Sequence, residues 1–304
     1  MSIRAPAGAA AQELRAVDVV WTMRTRYVAN GLQLCSAFAL PRLSAAEAPQ
    51  LPALSLTLGS AAEINAAWSA GGDAPAWRGR LSDGCDLTVE RGRAGDTLFS
   101  YGTRARFWLD ASGERLACAP VEGAKGDWRA ALLEKVIPKV SLMRGYEGLH
   151  ASAVDSPDGV IAFLGASGAG KSTLAQELAN RGHALFADDV LALGRADGGV
   201  LAHPDAGPGA RPLSLLCLLG RATGLALELQ RISANPLALA PHMLGFRGDR
   251  ERQRVRFELY ADLLLATPVV IIAGDLADHP GDLADLVERG LSEPPPVAGV
   301  AVSA

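Results

Sequence analysis

Two hydrophobic periods divide the chain. From about Val17 to Cys118, apolar and polar residues alternate in short runs: LSLTLG (Leu54 to Gly59), CDLTVERG (Cys85 to Gly92) and ARFWLD (Ala105 to Asp110). A period of two is that of a half-buried strand. Gly71-Gly72-Asp73, Asp83-Gly84 and Ser112-Gly113 punctuate the runs as turn signals. Residues 1–126 are therefore expected to form a smaller β-rich domain with one or two helices. At Asp127 the period changes. In DWRAALLEKVIPKVSLMRG, Asp127 suits an N-cap, and Leu132, Leu133, Val136, Ile137, Val140 and Met143 fall at helical spacing. Pro138 should kink this helix, which reads as the bridge into a second domain spanning residues 127–290.

From Leu149 onward strands and helices alternate. LHASAV leads through the turn Ser156-Pro157-Asp158-Gly159 to VIAFLG, a buried-type strand. A helix follows from Lys171 to Arg181, stopped by Gly182 at C′, and then a strand ALFADDVLAL. Leu213 to Leu219 reads as helical, PVVIIAG (Pro268 to Gly274) as a strand, and HPGDLADLVERG as a last helix ending at Gly290. The fold class is α/β with a sheet core. Residues 291–304, SEPPPVAGVAVSA in their setting, are expected to be poorly ordered.

Composition narrows the function classes. Of 304 residues, 49% are hydrophobic and only 5% aromatic, so a large core must rest on Leu, Ala and Val. With 29 basic against 33 acidic residues the net charge is −4, which lacks the clustered basic excess of a nucleic-acid binder. Cys35, Cys85, Cys118 and Cys217 are scattered without a CxxC pair, and read as reduced, packed thiols. Gln12, Glu13 and Arg15 interrupt any signal-peptide core, and the longest apolar run, Leu263 to Ala273, is short and contains Pro268. A cytoplasmic protein without a membrane span is expected.

The chemistry concentrates in one stretch. GASGAGKS, Gly165 to Ser172, satisfies G-x-x-x-x-G-K-[ST] between a buried-type strand and a helix. Glycines let backbone N–H groups turn around phosphate oxygens, and the helix start adds a partial positive charge. Gly165, Ala166, Ser167, Gly168, Ala169, Gly170, Lys171, Ser172 and Thr173 are thus the expected nucleotide contacts. Lys171 is expected to reach the β/γ-phosphates of ATP, and Ser172 to offer its hydroxyl to Mg²⁺. Transfer to an alcohol also needs a group to take the acceptor's proton. Asp188 and Asp189 end a strand seventeen and eighteen residues after the lysine. Strand alternation would send one carboxylate toward the acceptor and the other toward the metal. His150, at the start of LHASAV, could line the same edge.

LHASAV, GASGAGKST and LANRGHALFADDV, in this order and spacing, resemble the catalytic domain of the bacterial HPr kinase/phosphorylase family, over about Leu149 to Val190 and more loosely to Gly290. The resemblance implies a P-loop kinase core similar to that of phosphoenolpyruvate carboxykinase. It implies Asp188 as the acid/base toward a serine hydroxyl, and Ser172 and Asp189 as metal or phosphate neighbours. His150 becomes an active-site residue beside Asp188. That family's "EIRG"-type segment is missing, its place taken by LAHPDAGPGARPLSLL. YVANGLQLCSAFALPRL (Tyr27 to Leu43) is similar to the opening of HPr-kinase-like proteins encoded with natural-product pathways, some of which phosphorylate a serine of a precursor peptide.

Arg211 is a candidate phosphate or substrate contact. Arg247, Arg250, Arg252, Arg254 and Arg256 form a charge run interleaved with Asp249 and Glu251, read as a solvated face or a substrate surface. His183, after the C′ glycine, is expected to pack; His203, His242 and His279 show no partner spacing. The expected activity is an ATP- and Mg²⁺-dependent kinase acting on a serine of a peptide or small protein held by the N-terminal domain. A small-metabolite kinase and a nucleotide-binding regulatory protein with little turnover stay open, as does homo-oligomerisation.

Overall fold

The computed structural model describes residues 24–71, 77–81, 83–124, 126–221, 227–233, 236–244, 250–274 and 280–292. The Pro-rich tail from residue 293, together with Arg247 and His279, lies outside them. The chain divides into two compact units, Met1–Val140 and Ser141–Ala304. The division falls inside the helical segment that begins after Asp127, rather than ahead of it.

The first unit is one eight-stranded sheet in the order β1-β2-β3-β8-β7-β6-β5-β4. Its strands are β1 (Thr25–Ala29), β2 (Leu32–Ser36), β3 (Ala53–Leu58), β4 (Trp77–Arg80), β5 (Asp86–Arg91), β6 (Thr97–Tyr101), β7 (Ala105–Leu109) and β8 (Arg115–Pro120). The alternating runs of the sequence are β3, β5 and β7. Along them Leu54, Leu56, Leu87, Val89, Ala105, Phe107 and Leu109 are buried between more exposed neighbours, the outcome that a period of two demands. The short helix α1 (Ala61–Ala67) is closed by a capping box between Ser60 and Glu63, and packs Ile64 against Leu98, Ala117 and Ala119.

Helix α2 covers residues 128–143. Asp127 caps it, its carboxylate accepting the Arg129 N–H at 2.9 Å. A π-helical turn, Leu132–Val136, lies just ahead of Pro138. The proline ring crowds the carbonyl four residues back, and the wider turn accommodates it.

The second unit is a ten-stranded mixed sheet flanked by helices. It contains β9 (Glu147–Leu149), β10 (Ala151–Ser156), β11 (Gly159–Gly165), β12 (Ala184–Ala187), β13 (Leu191–Ala196), β14 (Gly199–His203), β15 (Arg211–Arg221), β16 (Glu228–Ile232), β17 (Met243–Leu244) and β18 (Val269–Gly274). The order is β12-β10-β11-β15-β14-β13-β9-β17, with β18 pairing β15 and β16. Helix α3 (Lys171–Asn180) follows the glycine loop, α4 (Pro236–Leu239) precedes β17, and α5 (Arg250–Ala266) and α6 (Pro280–Ser292) flank β18 in sequence. Strand β11 alternates between two cores. Ile161 and Phe163 join α3 and α6, whereas Val160, Ala162 and Leu164 join α5 residues Leu259, Tyr260 and Leu263. A strand covered on both faces must be apolar at every position, as this one is.

Leu213 to Leu219, expected to be helical, is the middle of β15. This strand runs parallel to β11 and to β18 at the centre of the sheet. A continuous apolar run carries no period, so strand and helix look alike until the neighbours are known. The last helix also continues past Gly290 to Ser292. Among the described residues, no helix is long and apolar enough to cross a membrane.

The arginine run resolves into two kinds of contact. Arg254 faces water and pairs with Glu251 and Glu258 along α5. Arg252 and Arg256 turn inward, at 3.0 and 2.7 Å from the carboxylate of Glu147, which is 1% exposed. Arg252 also donates to the carbonyls of Leu142 and Tyr146, and Tyr260 to that of Gly148. These bonds fasten α5 to β9, the strand that His150 follows.

His203, buried at the end of β14, stacks edge-on against Tyr146 at 4.9 Å. Burial pushes its pKa from 6.5 down to about 4. The folded protein keeps this ring neutral while the unfolded chain takes up a proton, so stability falls as pH drops from 6.5 toward about 4. The loss from this one ring is expected to reach at most about 3 kcal/mol. Chemical denaturation of His203→Gln across that window should show a shallower acid slope than wild type; an unchanged slope would assign the acid sensitivity elsewhere.

Candidate functional site

The glycine loop begins where β11 ends. Gly165 sits so close to the neighbouring strand that a Cβ there would lie 3.1 Å from the Leu219 carbonyl oxygen. Gly170, with φ at +93°, takes the left-handed conformation that starts α3. Neither position accepts a side chain without strain. Ala166, Ser167 and Gly168 are exposed, as are Ser172 and Thr173 at the start of α3, whereas Ala169 packs beneath the loop. Helix α3 ends as its sequence implies, with Gly182 at φ +107° and the His183 N–H bonded to the Leu178 carbonyl.

Lys171 is 7% exposed and its ammonium lies inside the loop's curve. It donates to the carbonyls of Gly165 (3.0 Å) and Ala166 (3.2 Å) and sits 3.1 Å from His150 Nε2. Desolvation lowers its pKa, opposed by the charges of Asp189 and Asp188. The two aspartates are thus its counter-charges.

Their geometry differs from the expected strand tip. Strand β12 stops at Ala187, the chain bends through Asp188 and Asp189, and β13 starts at Leu191 in the other half of the sheet. Asp189 has φ +76°, one of two non-glycine residues with positive φ among the described residues. This left-handed step, rather than strand alternation, points the carboxylates apart. Asp188 Oδ1 accepts the hydroxyls of Ser172 (2.7 Å) and Ser152 (2.6 Å). Asp189 Oδ1 instead lies 3.3 Å from His150 Nδ1. The carboxylate that meets the His150 ring is thus that of Asp189.

One tautomer satisfies both contacts of His150. An ammonium only donates, so Nε2 accepts from Lys171, and Nδ1 carries the proton offered to Asp189. The topology explains why these groups meet. The chain passes between the halves of the sheet twice here, at His150 from β9 to β10 and at Asp188–Val190 from β12 to β13. Both passages fall at the end of β11 that carries the glycine loop. Open α/β sheets place their ligands at such changes of strand order.

Arg211 does not join this cluster. It opens β15, whose Leu213 pairs with Val160 while its Leu219 pairs with Gly165, so Arg211 lies at the far end of the sheet from the loop. There it bonds Asp155 at 2.8 Å and the Pro157 carbonyl at 3.0 Å. His183 packs as expected, 3.5 Å from Glu288.

Three contributors went unread in the sequence. Ser152 is fully buried on β10 and holds Asp188; a hydroxyl between the alanines of LHASAV was its one legible signal. Asp205 accepts the Asp188 N–H at 2.7 Å. The His242 carbonyl accepts the His150 N–H at 2.7 Å. Burial, Lys171 and His150 together lower the pKa of the His242 imidazole. The last two arrive from distant sequence positions, and no motif marks them.

Ser172 and Asp188 offer hard oxygen donors beside the loop. Among the described residues no group of three or more His, Cys, Asp or Glu side chains is gathered as in an all-protein metal cage. One or two protein oxygens completed by phosphates and water is a donor set that suits Mg²⁺.

No protein-family model matches the chain. No curated protein matches it either. Among solved structures it is similar to the Hpr(Ser) kinase/phosphatase from Coxiella burnetii, at 15% identity over 48% of this chain and 96% of that one, with a TM-score of 0.30. So low a score carries nothing about the site, which stands on its own geometry.

Proposed function

We propose that this chain is an ATP-dependent kinase that transfers the γ-phosphoryl group to a serine hydroxyl of a peptide or small protein. The observation that carries the reading is the meeting of Lys171 and Ser172 with two differently partnered carboxylates at one sheet edge. A nucleotide holder needs the loop and one acidic group; transfer to an alcohol needs a second carboxylate to take a proton. The acceptor class is supported by the sequence resemblance over Leu149 to Val190 and by that of Tyr27 to Leu43.

The partners of each group support the division of labour. The loop amides and Lys171 receive the phosphates, and the Lys171 ammonium offsets charge on the transferred group. Ser172 and Asp188 would hold Mg²⁺, which when bound neutralises phosphate charge. Asp189, oriented by His150, takes the proton of the serine hydroxyl as its oxygen bonds the γ-phosphorus and the bond to the ADP oxygen breaks. This exchanges the roles that the motif resemblance implies for the two aspartates, because Asp188 is already committed to Ser172 and Ser152.

Incubation with Mg²⁺ and γ-labelled ATP, the products of neighbouring genes, serine peptides and small alcohols tests the proposal. Label is expected on a serine. ATP consumption without an acceptor, or label on small alcohols alone, would contradict it.

A further inference from the structure

Asp205 follows β14 in the segment LAHPDAGPG and grips the catalytic bend twice. Its backbone N–H donates to the Phe186 carbonyl at 3.0 Å, and its carboxylate accepts the Asp188 N–H at 2.7 Å. The two bonds straddle Ala187, the last residue of β12. An N–H bonded to a carboxylate is held more strongly than one bonded to a neutral carbonyl. The Asp188 amide therefore has a partner outside the ladder, and the chain leaves β12 there instead of continuing as a strand. The next residue is Asp189, in its left-handed conformation. That conformation costs energy in a non-glycine residue and persists where the surroundings fix it. Ser152, from inside the sheet, holds the Asp188 side chain; Asp205, from the loop after β14, holds its main chain.

We infer that Asp205 is a positioning residue, which fixes the bend so that Asp188 meets Ser172 and Asp189 meets His150. It acts through the backbone of Asp188. Its kinetic consequence rests on the kinase reading above; its structural consequence does not. An asparagine keeps the side-chain oxygen that accepts the Asp188 N–H, whereas an alanine removes it.

Both consequences can be read in one set of variants. With aspartate residues labelled by nitrogen-15, the Asp188 amide resonance reports the bond directly. Asp205→Ala is expected to move that resonance upfield and to slow single-turnover transfer about 10–100-fold, the order of effect of a small misplacement of reacting groups. ATP affinity should stay within about twofold, since the loop and Lys171 are untouched. Asp205→Asn should restore most of the rate and the resonance. An unmoved Asp188 amide in Asp205→Ala overturns the clamp whatever the protein phosphorylates. A moved amide with an unchanged transfer rate overturns its positioning role. Equal failure of both variants with a raised Mg²⁺ requirement makes Asp205 a cation ligand instead, and overturns it too. If wild type transfers phosphate to nothing, the kinase reading fails alone, and the amide still decides on the clamp.

Discussion

Asp189→Asn is expected to bind Mg²⁺·ATP like wild type and to transfer the γ-phosphoryl group about 10²–10⁴-fold more slowly, the range for loss of a positioned base. The amide keeps the size of the side chain and can still accept from His150 Nδ1, so the bend and the loop should stand. What disappears is a carboxylate able to take a proton from an incoming alcohol. Asp188→Asn should behave differently. Its oxygen lies 2.7 Å from the Ser172 hydroxyl, so the variant should show a raised Mg²⁺ requirement, with part of the rate recovered at high Mg²⁺. Single-turnover rates across a Mg²⁺ series, with nucleotide affinity measured separately, distinguish the two. If Asp189→Asn transferred at the wild-type rate and Asp188→Asn stayed inactive at saturating Mg²⁺, the base would be Asp188, and the roles would revert to those the motif resemblance implies.

Lys171→Met is expected to have the other large effect: ATP affinity lowered at least about tenfold and transfer lowered about 10³-fold, as for removal of a main charge donor to the reacting phosphate. Methionine keeps an unbranched apolar stem in a position that is 7% exposed, so the fold should survive. The ammonium also has a second role. It is the donor that sets the His150 tautomer, and through Nδ1 it reaches Asp189. Nucleotide affinity by calorimetry and the far-ultraviolet spectrum together check the prediction. A folded Lys171→Met protein that binds ATP as tightly as wild type would remove the loop from nucleotide binding.

Local order in this chain is legible where one residue's environment repeats. The alternation of β3, β5 and β7 could be read because each has one buried face. The cap at Asp127 and the stop at Gly182 could be read because each needs only a few neighbouring residues. The glycine loop was legible for the same reason: strand, turn and helix start are contiguous. Strand β15 was not, because both of its faces are covered and its apolar run has no period. The bend at Asp188–Asp189 was hidden because ALFADDVLAL is apolar on either side of the aspartates. It reads as one strand, although its halves pair with different partners, β10 and β9. Arg211 read as a candidate phosphate or substrate contact, yet Asp155, fifty-six residues earlier, claims it. Ser152, Asp205 and His242 belong to the site only through contacts made by the finished sheet.

The roles given to the two aspartates follow from those long-range contacts, not from the order of the motif. Ser152, Ser172 and Asp205 converge on Asp188 and tie it down, while Asp189 lies against His150. In the proposed division Asp188 serves the cation with Ser172, and Asp189, set against the imidazole, faces the acceptor.

A crystal structure with Mg²⁺ and a non-hydrolysable ATP analogue tests this division most directly. The expected result is a cation on the Ser172 hydroxyl on the Asp188 side, Lys171 on the terminal phosphates, and the Asp189 carboxylate facing the terminal phosphate with room for one alcohol between them. A nucleotide bound in the loop with Asp189 turned away, and Asp188 alone facing the terminal phosphate, would contradict it.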